Sequence, residues 1–107
     1  MPRLLMAVRS IQRLQGLLLR EERDALLLLA PCRSIHTYGM RYAIDIAFAN
    51  SQGRIVEAYR DVLPKRHYRC RRACAVLERH AQPASPWFHR GDHMHIDIGS
   101  CEYWGDC

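Results

Sequence analysis

The stretch CRSIHTYGMRYAIDIAF, residues 32–48, gathers Ser34, His36, Thr37, Arg41 and Asp45 within twelve positions. A guanidinium holds a carboxylate or another oxyanion through paired N–H donors, and an imidazole next to a carboxylate is a candidate acid–base pair. These five residues are therefore ligand-binding candidates for a small anionic ligand, and His36 with Asp45 is the alternative, catalytic reading. A structural reading competes with both. On a strand, Asp45 faces away from Ile44, Ile46 and Phe48, between Ala43 and Ala47. A buried carboxylate requires donors. This reading expects the 33–39 loop to fold over the two alanines, with Asp45 accepting hydrogen bonds from its backbone, from Ser34 or from Thr37. No serine or cysteine lies in a nucleophile motif such as G-x-S-x-G. No catalytic residue is assigned, and no cofactor is expected.

Two further stretches carry chemistry. In HMHID, His93, His95 and Asp97 alternate, so on a strand they share one face, with His89 a turn away; imidazoles at this spacing can hold zinc or copper. No further ligand has diagnostic spacing, and a polar strand face explains the pattern equally. In KRHYRCRR, the cations Lys65, Arg66, Arg69, Arg71 and Arg72 could contact phosphates, and Tyr68 could stack a base. No nucleic-acid motif accompanies them, and charge on an edge strand also blocks aggregation. An acidic protein partner is the other use of this segment.

These groups need elements to position them. Ser10 can cap a helix in which Ile11, Leu14 and Leu18 share a face. ALLLLA, residues 25–30, bounded by charge and Pro31, reads as a buried strand. Residues 32–42 read as loop. A strand from Ala43, the turn Asn50–Gly53 and a strand over Arg54–Leu63 make a hairpin. AQPASPWF, residues 81–88, holds two prolines and cannot be one regular helix. RGD, residues 90–92, turns into a last strand. The expectation is one α+β domain over residues 1–107: mostly antiparallel β, a small partly open barrel-like sheet with one or two short helices, and a tail over 99–107.

Composition bounds the rest. The 107 residues are 49% hydrophobic and 25% charged, ordinary values for a globular chain, and 16 Lys and Arg against 11 Asp and Glu give a formal +5. The apolar run Leu4–Val8 is too short for a signal-peptide core, and no run approaches the ~20 residues that span a bilayer. We therefore expect a soluble, cytoplasmic protein. Five cysteines at C-x3-C (Cys70, Cys74) and C-x5-C (Cys101, Cys107) spacings match no zinc knuckle or redox pair, so reduced thiols are expected, with those of the tail more reactive than Cys32.

Most of the chain, from about Gln12 to Ile98, resembles the domain of unknown function 192 family. The resemblance is carried by Pro31-Cys32, by Ser34-Ile35-His36-Thr37-Tyr38-Gly39-Met40-Arg41, by Ile44-Asp45 with Phe48, by Gly53, by Val76-Leu77-Glu78 and by Gly91-Asp92. RLQGLLLR looks like the family's opening helix, whereas RHAQPASPWFH departs from its Pro-Ala-Gly segment and short helix. The resemblance implies a small, mostly β fold and no activity. Cys32 and Cys70 stand where the family pattern often has cysteine, and as neighbours they could tie the site loop to a later strand. The resulting reading is a noncatalytic binding or accessory module that presents the 33–41 loop to a small anionic ligand or a protein segment.

Overall fold

The computed structural model of the protein describes residues 3–7 and 25–94. Seven strands run in chain order: β1 Arg3–Ala7, β2 Ala25–Leu29, β3 Ser34–His36, β4 Ile44–Ala49, β5 Ile55–Val62, β6 His67–Arg69 and β7 Ala75–His80. Five form one sheet in the order β1-β2-β7-β4-β5, and β3 pairs with β6 in a separate ribbon. β1 and β2 are parallel, and every other pair is antiparallel.

This corrects the expected α+β, barrel-like class. Among the described residues there is no helix, and the two sheets stay open because the outer strands β1 and β5 do not pair. The helix expected over Ser10–Leu18 lies outside the described residues. Residues 82–85 form a turn closed by Ser85 N–H donating to Gln82 C=O at 2.9 Å, consistent with the prolines at 83 and 86.

β2 and β4 lie inside the sheet, and their sequences show it. A strand covered on both faces needs apolar or small residues at consecutive positions. Every residue of β4 is buried. Ile44, Ile46 and Phe48 join Leu27, Leu29 and Val76 in the core on one face. Ala47 and Ala49 join Leu28, Leu77, Ile55 and Trp87 on the other. The ribbon covers the first face through Ile35 and Cys70, with Tyr68 packed against them. Trp87 occupies the second, above the small alanines, and its indole N–H donates to Ile46 C=O at 2.9 Å.

The β4–β5 hairpin turns as expected. Asn50 Oδ1 accepts from Gln52 and Arg54 N–H, both at 3.0 Å, and Gly53 takes a φ of 83°. The hairpin register is irregular. Ile44 pairs with Val62 but Ile46 with Tyr59, so β5 carries an extra residue opposite Asp45. Asp61 sits in that bulge with a φ of 54°.

Candidate functional site

The bulge explains Asp45. Its carboxylate is 1% exposed. Oδ1 accepts from the Asp61 N–H at 3.0 Å; Oδ2 accepts from Arg79 Nε at 2.8 Å and from Gln82 N–H at 3.2 Å. Arg79 stands directly across the β4–β7 ladder, and its guanidinium lies 4.5 Å from the centroid of the Trp87 ring. Asp45 is therefore supplied with donors, as the structural reading required, but not by the 33–39 loop. They come from β5, β7 and the segment after β7.

The loop folds over the opposite face of the sheet. Part of it is a strand, β3, in register with β6: Ser34 opposite Arg69, Ile35 opposite Tyr68, His36 opposite His67. Strand alternation turns Ile35 and Tyr68 inward and Ser34, His36, His67 and Arg69 outward. Tyr68 meets Tyr59 with ring centroids 4.5 Å apart. Tyr59 donates its hydroxyl to Glu57 at 3.1 Å; burial first, then this bond to a carboxylate, pushes its phenol pKa up.

Thr37, expected to meet a ligand, is instead 1% exposed. Its hydroxyl donates to Leu63 C=O at 2.8 Å and accepts from Arg66 N–H at 2.8 Å. Its backbone N–H donates to Arg66 C=O at 2.8 Å, and its C=O accepts from Met40 N–H at 3.2 Å and Lys65 N–H at 3.3 Å. Thr37 therefore holds the 63–66 turn, in which Lys65 takes a φ of 66°. Arg41 is exposed, as is His36, whose ring centroid lies 5.9 Å from that of the exposed Tyr38.

The five residues named from the first stretch thus separate. Ser34, His36 and Arg41 belong to the ribbon and its loop, Thr37 lies beneath them, and Asp45 lies on the far side of the five-stranded sheet. The ribbon sets His67 opposite His36 and Arg69 opposite Ser34; Lys65 and Arg66 precede β6 at the His36 end, Arg71 and Arg72 follow it at the Ser34 end, and all five cations of the basic run are exposed. His67 was missed as a candidate. The signal was the matching alternation of SIH and HYR, which places a histidine outward on each strand once they pair.

Elsewhere, His93 makes an isolated bridge to Arg54 and its Nε2 lies 2.9 Å from Gln52 C=O; His95 and Asp97 lie outside the described residues. His89 is 3.9 Å from Asp92. Among the described residues no three potential metal ligands cluster.

The cysteines differ from expectation. Cys32 and Cys74 are disulfide-bonded, with Cys32 N–H donating to Cys74 C=O at 3.0 Å, and Cys70 is a free, buried thiol. Burial is the largest cause pushing the Cys70 pKa up. A buried thiol held protonated is a poor nucleophile. Alkylation of the native, unreduced chain should therefore leave Cys32, Cys70 and Cys74 unlabelled, and unfolding without reductant should expose Cys70 alone of the three. Peptide mapping reads the pattern, and native labelling of Cys70 at the rate of a free thiol would contradict it.

The model of the DUF192 family, described as "Uncharacterized ACR", matches residues 3–96. No curated protein matches the chain. A solved structure from Novosphingobium aromaticivorans DSM 12444, of unknown function, superposes with a TM-score of 0.64 at 19% identity, over 75% of this chain and 64% of that one. One from Sinorhizobium meliloti 1021, described as "a putative transcription regulator", superposes with a TM-score of 0.62 at 25% identity, over 73% of this chain and 67% of that one. The chain thus spans about two thirds of the length of each. No helix among the described residues is long and apolar enough to cross a membrane.

Proposed function

The chain belongs to the DUF192 family, and from there we propose that it is a noncatalytic binding module whose β3–β6 face takes an acidic segment of a partner protein. One observation carries this reading. Residues 25–44 and 62–77, the two segments that the ribbon joins, hold seven Lys and Arg and no Asp or Glu. With a formal charge of +5 overall, the remainder of the chain carries more acid than base. Among the described residues, Arg41, Lys65, Arg66, Arg69, Arg71 and Arg72 are exposed on the ribbon and the turns at its ends, with no carboxylate among them. Such asymmetry steers an oppositely charged partner and fixes its orientation. The cations extend along the ribbon and past both of its ends, a strip longer than one small anion needs, and this favours an extended acidic segment.

Catalysis by His36 and Asp45 has no geometric support. His36 faces outward from the ribbon, while Asp45 faces the Trp87 side of the other sheet and is committed to Arg79. Nucleic acid is disfavoured by Tyr68. The ring of the basic run that could have stacked a base faces inward onto Tyr59, which leaves the exposed Tyr38 beside His36 as a single aromatic on this face, whereas single-strand binders stack successive bases on several.

Fluorescence anisotropy with a labelled oligo-glutamate peptide, at low and at physiological ionic strength, tests the reading. Binding should weaken with salt, and Arg66→Glu with Arg69→Glu should weaken it by about tenfold or more. No binding at low salt, or tighter binding of a single-stranded DNA of equal charge at physiological salt, would overturn the assignment.

A further inference from the structure

We propose that this acidic-partner site is gated by protons, with His36 and His67 as the gate: the face holds its partner when the two imidazoles are charged and releases it when they are neutral. The inference rests on the binding reading above and adds its regulation. His36 and His67 are direct cross-strand partners and both are exposed. Side chains so paired have Cβ atoms about 4.5–5.5 Å apart, so one carboxylate-bearing segment lying along the ribbon meets both.

Among the described residues around them, the imidazoles are the groups whose charge varies near neutral pH. Ser34 and Arg69 share their face on the ribbon. The Tyr38 ring lies beside His36. Lys65 and Arg66 stand on the turn tied to Thr37, and Arg41 stands on the loop that follows. Glu57, Tyr59 and Glu78 stand on the five-stranded sheet opposite Phe48 and Ile46, on the face that the ribbon covers, and Tyr59 meets Tyr68 from there; the exposed Asp61 lies at the bulge, four residues before Lys65. No carboxylate stands on either ribbon strand or on the turns at their ends. Lys and Arg keep their charge through neutral pH, and the carboxylates of a partner keep theirs. Histidine is the side chain that changes charge between pH 5 and 8.

The linkage has a definite sign. An acidic segment binds the imidazolium form more tightly than the neutral form, so binding takes up protons and acid strengthens binding by the same coupling. Two such groups on one short ribbon give a coupling on the order of tenfold between pH 8 and pH 6. The same pair on a neutral ribbon would suit a transition-metal ion. Here the surrounding cations oppose a metal and favour an anion.

The oligo-glutamate anisotropy assay, run with EDTA at pH 6 and pH 8 at one ionic strength, separates the outcomes. The parent chain should bind about tenfold more tightly at pH 6. The double variant His36→Gln with His67→Gln should bind equally at both values. Arg69→Gln should weaken binding at both values and keep the ratio. Equal affinity of the parent at the two pH values, or a pH ratio that survives in the double histidine variant, overturns the gate while leaving the binding reading intact. Absence of binding at both pH values overturns the binding reading, and the gate with it.

Discussion

Replacing Asp45 with Ala should destabilise the protein by about 3–5 kcal/mol, the range for removing one partner of a buried ion pair. The Arg79 side chain is 12% exposed and that of Asp45 1%, so little water is at hand to replace the lost contact. The substitution also strands the Asp61 N–H at the bulge and the Gln82 N–H after β7. Asp61 has no ladder partner to return to, because the bulge itself removed it from the β4–β5 register. Asp45→Asn should cost less, since an amide oxygen can still accept from Asp61. Asp45→Ala with Arg79→Met should cost less than the two single changes added together, because the pair is lost only once. Urea denaturation followed by circular dichroism measures all four variants. A parent-like midpoint for Asp45→Ala would show that the carboxylate is not holding the bulge, and would return it to the list of groups placed for a ligand. Peptide binding by whatever variant folds should be unchanged, since Asp45 lies across the five-stranded sheet from the basic face.

Asp45 also shows how much could be read in advance. Two alanines beside it on one strand face marked a buried carboxylate that needs donors, and this was legible from residue type and alternation. Which donors arrive depends on a register slip in β5 and on where the chain turns after His80, and neither leaves a local pattern. β2 and β4 were legible for a related reason. An interior strand must be apolar or small on both faces, and ALLLL and IDIAFA are, with one exception that is itself informative.

β3 and β6 were not legible. Three residues carry too little periodicity to distinguish a strand from a loop, and an outer face of Ser, His and Arg looks like loop composition. The basic run and the Ser-Ile-His-Thr stretch were each visible, but their pairing spans about thirty residues of sequence and is decided by the core that Ile35, Tyr68 and Cys70 share. β1 was missed because a parallel edge strand shows neither the alternation of an antiparallel strand nor a hairpin partner nearby.

The residue that joins fold to function is Thr37, and Thr37→Val should reveal it by moving two measurements together. Valine keeps the shape and removes the hydroxyl. Leu63 C=O then loses its donor and Arg66 N–H its acceptor. Both bonds are part-buried, so leaving these groups unpaired should cost about 1 kcal/mol, the low end for a buried donor or acceptor. Thr37→Ser restores the hydroxyl and should recover most of that loss. The second effect falls on binding. The 63–66 turn carries Lys65 and Arg66 and is held to the ribbon by the Thr37 hydroxyl, N–H and C=O. With the hydroxyl gone, two backbone bonds remain but the turn that carries two of the cations is held less tightly, so affinity for the acidic peptide should fall although no charge has changed. A merely structural threonine would lower the unfolding free energy and leave the peptide affinity of the folded protein intact. A ligand-contacting threonine would do the reverse. Only a threonine that positions the basic face lowers both, and Thr37→Ser should restore both in proportion.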